Sequence, residues 1–313
     1  MVSKLRIVFL GSPEIAIPSL QALARHPEID VRLVVTQPDR PAGRGRRLTP
    51  PPVRLAADAL GIDVIQPETL RDPVALDRIR QSEPDLLVVV AFGEILRKPM
   101  LEIAPLGCLN VHPSLLPKYR GASPIPAAIL NGDPVTGVSI MKLVRKLDAG
   151  PLVAQCAIGV ARDDVTGSLS IRLAELAAEM IPAIALGYAR GTRVPIDQDH
   201  AAATFTREWT TDDARIDWSR PAVEIERLIR AADPWPVAWT TIDGERFRVT
   251  AASVVVASDV DNSPGEIVVV GGDVMTQTGQ GMLRLARVQP AGKKEMNAAD
   301  WWRGRRGGAV TFQ

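Results

Sequence analysis

The run LLVVVA at residues 86–91 decides how this chain folds. It is apolar throughout, too short for a buried helix, and lacks the alternation of a half-exposed strand. Such a run is a strand covered on both faces. Similar runs lie to either side: RIVFL at 6–10, VRLVVT at 31–36, a short one at 64–66, CLNVH at 108–112, and two more at 138–143 and 152–158. Amphipathic segments separate them at 54–60 and 73–82, and a long helical pattern spans 166–190. Gly11, Ser12 and Pro13 end the first strand, with Ser12 read as N-cap and Pro13 at the first position of a helix reaching His26. Strands alternating with helices predict an α/β layer with a parallel sheet and helices on both sides.

The pattern changes towards the C-terminus. Residues 191–203 show no period and read as linker. Beyond them a helix is predicted over 222–232, followed by short β-rich runs at 238–242, 247–256, 266–270, 274–277 and 283–286. Asp243-Gly244, Pro264-Gly265 and Gly271-Gly272 punctuate these runs, as in a small antiparallel barrel. A length of 313 residues fits two domains. The expected division is 1–190, a linker at 191–206, and a β-barrel at 207–313.

Composition narrows the function classes. The net charge is +1, so no global field draws a polyanion, and nucleic acid would have to be met by local basic clusters. Two isolated cysteines, Cys108 and Cys156, make no disulfide framework and fit a reducing cytoplasm. The opening MVSKLRIVFLG runs straight into a turn and reads as a strand rather than a signal peptide. The longest apolar stretch is far short of a membrane span.

One strand ends in chemistry. Residues two apart in a strand share a face, so Asn110 and His112 project together from the C-terminal end of CLNVH. Ligands of open α/β sheets bind at that edge. An imidazole can move a proton near neutral pH, and an asparagine amide can donate to a developing oxyanion. Asp148, in the turn LDAGP, is a carboxylate that could orient the imidazole. Two plainer readings stay open: His112 as a hydrogen-bonded structural residue, and Asp148 as a turn former. Spacing does not bring the two together. Ser114 lacks a G-x-S-x-G elbow, the three histidines are scattered and no C-x-x-C exists to hold zinc. GSPEIA lacks the later glycines of a dinucleotide loop, and Cys108 lies within a strand. These features argue against a hydrolase, a metal site, a nicotinamide site and a thiolate nucleophile.

Asn110-Val111-His112, then Ser114-Leu115-Leu116-Pro117, then Asp148 resemble the signature of formyltransferases that use 10-formyltetrahydrofolate. TQPDRPAGRG at 36–45, ARIDW at 214–218, PWPVAW at 234–239 and QPAGKKEM at 289–296 are similar to the branch of that family that acts on initiator tRNA. The resemblance covers nearly the whole chain in order. It implies a Rossmann-like catalytic domain, an OB-like β-barrel, and transfer of a formyl group from the folate to the α-amino group of Met-tRNA. It implies that Asn110 binds the formyl oxygen, His112 assists proton transfer and Asp148 orients His112. Ser114, Leu115, Leu116 and Pro117 match the folate loop, and Phe92 and Leu96 sit where the family's pterin pocket lies, with plain core as the alternative. No metal is implied, and the protein is read as a cytoplasmic monomer. Two positions depart from the family, Pro113 after the histidine and Lys146 where a glycine usually stands. Lys146 implies a different local turn.

Residues 40–57 contain five arginines and no acid: Arg40, Arg44, Arg46, Arg47 and Arg54. Guanidinium forks suit phosphates, whereas charge alone also describes a solvated loop. The resemblance makes this the loop that wedges into the tRNA acceptor stem, with Arg44 at the critical position and Arg40, Arg46 and Arg47 beside it. The barrel is not basic overall: residues 207–313 hold 14 Lys+Arg against 15 Asp+Glu. Two rivals remain, a folate-dependent N-formyltransferase for a nucleotide-sugar or purine-precursor amine, and a non-catalytic RNA-binding protein.

Overall fold

The computed structural model describes residues 4–42, 45, 47–255, 263–305 and 311–313. By internal packing the chain divides into two units. One comprises Met1–Ala122, Thr136–Gly159 and Ser170–Thr206, the other Ser123–Val135, Val160–Leu169 and Arg207–Gln313.

The first unit begins with β1 (Leu5–Gly11), α1 (Ile17–Arg25) and β2 (Ile29–Val35). An exposed hairpin follows, β3 (Arg40–Ala42) against β4 (Arg47–Thr49), then α2 (Pro52–Ala59), β5 (Val64–Ile65) and α3 (Pro73–Gln81). Next come β6 (Leu86–Val90), α4 (Lys98–Leu101), β7 (Cys108–His112) and β8 (Arg120–Gly121). After α5 (Pro124–Asn131) the chain adds β9 (Val135–Lys142), β10 (Leu152–Gly159), α6 (Thr166–Ala189) and β11 (Phe205–Thr206). The main sheet has the order β10-β9-β7-β6-β1-β2-β5.

The apolar run at 86–91 is the sheet's central strand, and all five residues of β6 are buried. It pairs in parallel with β1 on one side and β7 on the other. Val8, Leu10, Leu33, Val35, Leu87 and Val89 form one core with Ile79 of α3. Each such side chain contributes about 1.5–3 kcal/mol on burial. The expectation of a parallel sheet needs one correction: β9 runs antiparallel to β7, with His112 opposite Ser139.

The reading of Ser12 as an N-cap is also corrected. Pro13 occupies the cap of a short 3-10 turn, without a side-chain cap, and α1 begins only at Ile17. The Ser12 hydroxyl donates to Phe92 O at 3.3 Å and accepts from Gln37 N–H at 3.1 Å, tying together the loops that follow β1, β2 and β6. Gly11 is required beside it, because a Cβ there would lie 2.9 Å from Val90 O.

In the second unit α5 packs on α7 (Ala222–Ala231). The antiparallel sheet follows: β12 (Trp239–Ile242), β13 (Glu245–Val255), β14 (Ile267–Val270), β15 (Asp273–Gln277) and β16 (Met282–Pro290). A short β17 (Met296–Asn297) and α8 (Ala298–Arg303) complete it. The strand order is β12-β13-β16-β15-β14. Residues 311–313 join its two edges. Gln313 exchanges backbone hydrogen bonds with Thr241 of β12, and Phe312 N–H donates to Gly265 O just before β14. The sheet thereby closes into a barrel, and Phe312 fills its interior, stacked on Trp218 at 5.0 Å.

Candidate active site

β7 ends at the C-terminal edge of the sheet, between β6 and β9. Its alternation delivers Asn110 and His112 to one face. Asn110 is half-buried, and its side-chain amide has no hydrogen-bond partner among the described residues. His112 is only 5% exposed. Its Nε2 lies 2.9 Å from Tyr119 O. A carbonyl only accepts, so Nε2 carries the proton in the neutral ring and Nδ1 presents a lone pair. That lone pair faces Asp148 Oδ2 at 3.8 Å, too long for a direct hydrogen bond but within ion-pair range. Burial pushes the His112 ring below its ordinary value of 6.5, while the Asp148 charge and the Tyr119 carbonyl pull the other way.

Asp148 is itself held. Gly121 N–H donates to its Oδ2 at 2.8 Å. The backbone at Asp148 is left-handed, with φ 43°. Lys146 does not adopt a positive φ; the turn instead places it at Asp148, two residues further on, and Ala149 N–H closes onto Lys146 O. Gly121 cannot carry a side chain: its φ is +108°, and a Cβ would lie 2.1 Å from Thr206 O. Two lone-pair acceptors therefore flank one spot, with an uncommitted amide two residues back along β7. This arrangement can take a proton from a donor lying between the ring and the carboxylate, and can stabilise charge on an adjacent oxygen.

The loop after β7 folds inward in part. Ser114 is fully buried, and its hydroxyl donates to Lys118 O at 2.6 Å. Leu116 is buried too; its N–H donates to Ser139 Oγ at 3.0 Å and its carbonyl accepts from Gln155 Nε2 at 2.8 Å. Leu115 and Pro117 remain half-exposed. Phe92 and Leu96 belong to the core cluster beneath the sheet edge.

The arginine-rich stretch forms the β3–β4 hairpin, with Arg40 opposite Thr49 and Ala42 opposite Arg47. Arg40 meets Glu68 at 3.0 Å on the surface, and Arg54 meets Asp58 at 2.9 Å. The Arg47 guanidinium has no acidic partner among the described residues, and Leu48 beside it is 71% exposed. Arg44 and Arg46 lie outside the described residues. Among the described residues, no cluster of three or more His, Cys, Asp or Glu is placed to hold a metal, and no helix is long and apolar enough to cross a membrane.

Sequence reasoning missed Tyr119, Gly121 and Gln198. The first two act through backbone atoms. Gln198 lies in the stretch read as linker, yet its Nε2 donates to Asp148 O at 2.9 Å.

The family model for formyl transferase matches residues 5–185, and that for the formyl transferase C-terminal domain matches residues 209–306. A methionyl-tRNA formyltransferase of Roseiflexus sp. (strain RS-1) is 49% identical over 302 residues, 96% of this chain and 93% of the relative. One from Pseudomonas fluorescens (strain SBW25) is 44% identical over 307 residues, 98% of this chain and 96% of the relative. Among solved structures, the N-formyltransferase of Helicobacter canadensis with folinic acid and dTDP-3-aminofucose has a TM-score of 0.66 at 16% identity, covering 92% of this chain and 99% of that one. HypX from Aquifex aeolicus with tetrahydrofolic acid has a TM-score of 0.64 at 16% identity, covering 99% of this chain and 51% of that one. These two likenesses are of fold.

Proposed function

The chain belongs to the formyl transferase family, and on that footing we propose that it moves a formyl group from 10-formyltetrahydrofolate to the α-amino group of methionine on initiator Met-tRNA. The observation that carries the assignment to tRNA is identity near one half with methionyl-tRNA formyltransferases across both parts of the chain. The reading is of a cytoplasmic enzyme acting as a monomer, with residues 1–190 as catalytic domain, 191–206 as linker and 207–313 as the tRNA-contacting barrel.

The residues divide the work as follows. The α-amino group arrives largely protonated if its pKa stays near the ordinary 7.7–8.0. His112 Nδ1 and Asp148 Oδ2, 3.8 Å apart, take that proton between them. The freed nitrogen attacks the formyl carbon, and the carbonyl electron pair moves onto oxygen. Asn110 donates its amide N–H to that oxygen. That first proton passes on to solvent. The attacking nitrogen, now positive, gives its second proton to the restored His112–Asp148 pair. As the electrons return, the bond to N10 of the folate breaks, and the pair delivers that second proton to the leaving nitrogen. The products are formyl-Met-tRNA and tetrahydrofolate. No enzyme nucleophile is required.

Leu115 and Pro117 contact the folate, and Ser114 and Leu116 hold their loop from beneath. Phe92 and Leu96 support the pterin end from the core. The arginines of the basic loop, Arg40, Arg44, Arg46 and Arg47, meet the acceptor-stem phosphates, with Arg44 at the position the family resemblance makes critical. The test is incubation with 10-formyltetrahydrofolate and charged tRNAs. Initiator Met-tRNA should be formylated well ahead of elongator Met-tRNA, with activity lost in His112→Ala. Formylation of a nucleotide-sugar or purine-precursor amine, with none on Met-tRNA, overturns the reading.

A further inference from the structure

Arg120 is the largest fully buried side chain of the first unit, 1% exposed, and no carboxylate pairs with it among the described residues. A buried guanidinium without a counter-ion requires dense hydrogen bonding to persist. Arg120 Nε and Nη2 both donate to Gln198 Oε1, at 3.1 and 2.7 Å. Nη2 also donates to His200 Nδ1 at 2.9 Å, and the ring of Phe205 lies 5.9 Å from the guanidinium carbon. The other end of Gln198 is equally committed. Its Nε2 donates to Asp148 O at 2.9 Å and to Gly150 O at 2.7 Å. The amide cannot flip, because its oxygen would then face two carbonyls while its nitrogen faced a cation.

These bonds bracket Asp148. A non-glycine residue at φ 43° persists where its surroundings over-determine the backbone. Gln198 clamps the carbonyl of Asp148 itself and that of Gly150, and Gly150 has no room for a Cβ, which would sit 1.7 Å from Lys142 O. Arg120 also lies between Tyr119, whose carbonyl holds His112, and Gly121, whose N–H holds the Asp148 carboxylate. Residues 119–121 therefore fix the ring, the strut and the carboxylate from three consecutive positions.

We propose that Gln198, anchored by the buried Arg120, is a positioning residue that holds Asp148 in register with His112. This inference rests on the proposed reaction. Gln198 is buried and its amide is committed to Arg120 and to the carbonyls of Asp148 and Gly150, so its effect on the reaction passes through Asp148.

The test is a double-mutant cycle in the full chain, with initiator Met-tRNA and 10-formyltetrahydrofolate under steady-state conditions. Gln198→Met should lower kcat about tenfold or more, leave KM for both substrates within about twofold, and shift the acid limb of the pH–rate profile. In an Asp148→Asn background the same substitution should bring no further loss. Gln198→Glu, which still accepts from Arg120 but cannot donate to the two carbonyls, should behave like Gln198→Met and serves if that variant fails to fold. Wild-type kcat in the variants, an equal loss with and without Asp148, or a loss confined to KM overturns the proposal. An unmodified chain that does not formylate Met-tRNA at all would instead remove the reaction on which the proposal rests.

Discussion

At the scale of single residues, His112 carries the clearest pH signature. Burial lowers its proton affinity in the fold, whereas an unfolded chain titrates near 6.5. The neutral ring is the proton acceptor, so kcat should hold at neutral pH and fall as pH drops through the folded value, which lies below 6.5. Stability follows the same direction. Between the two values the unfolded chain binds more protons than the folded one, so the contribution of His112 is full above the unfolded pKa and is lost as pH falls towards the folded pKa. Melting temperature measured by calorimetry between pH 7 and 5 should therefore drop more steeply in the wild type than in His112→Gln. Asn110→Ala tests the other half of the site. Loss of one oxyanion donor should lower kcat about 10²–10³-fold while leaving the fold intact. An unchanged kcat would remove Asn110 from the chemistry.

At the scale of elements, the hairpin and the turn at Gly121 are the parts most open to test. Arg44→Leu should raise KM for tRNA and lower kcat with folate binding unchanged; equal rates on both enzymes would take the loop out of tRNA recognition. Gly121→Ala forces a methyl group against Thr206 O, so β8 and β11 must part and the N–H to Asp148 must move. Activity should fall about as far as in Asp148→Asn, measured by the same assay. Much of this framework was legible in advance. β7 begins and ends where the sequence places it, because Gly107 before it and Pro113 after it punctuate the run CLNVH. The direction of β9 was not legible, since a buried strand has the same composition whichever way it runs. α5 was missed because PIPAAILN is apolar almost all round and carries little helical contrast. The Ser12 reading failed because a local capping rule lost to three loops competing for one hydroxyl. Asn110, His112 and Asp148 were visible as side chains, but the Tyr119 carbonyl and Gly121 N–H are groups any residue supplies. Gln198 was hidden in a segment without period.

At the scale of the whole molecule, the second unit draws on distant parts of the chain. Its α7 packs on α5, which precedes it by some ninety residues of sequence. A fragment of residues 207–313 thus lacks a helix that covers its own, and should unfold at lower denaturant than the same unit in the intact chain. Phe312→Ala should be more damaging still. It removes a ring packed against Trp218, Phe247 and Trp301, and loss of such a side chain costs about 3–5 kcal/mol. Tryptophan fluorescence during urea unfolding should show the barrel's midpoint fall, and an unchanged midpoint would mean that the closure is not stabilising. The position of that closure also orders events at the ribosome. The seam between β12 and the start of β14 is stitched by residues 311–313, which follow every strand of that sheet in the sequence, so a growing polypeptide exposes two unsealed sheet edges until they clear the exit tunnel. Translation stalled shortly before that point would leave a nascent chain ready to pair with its neighbours on a polysome.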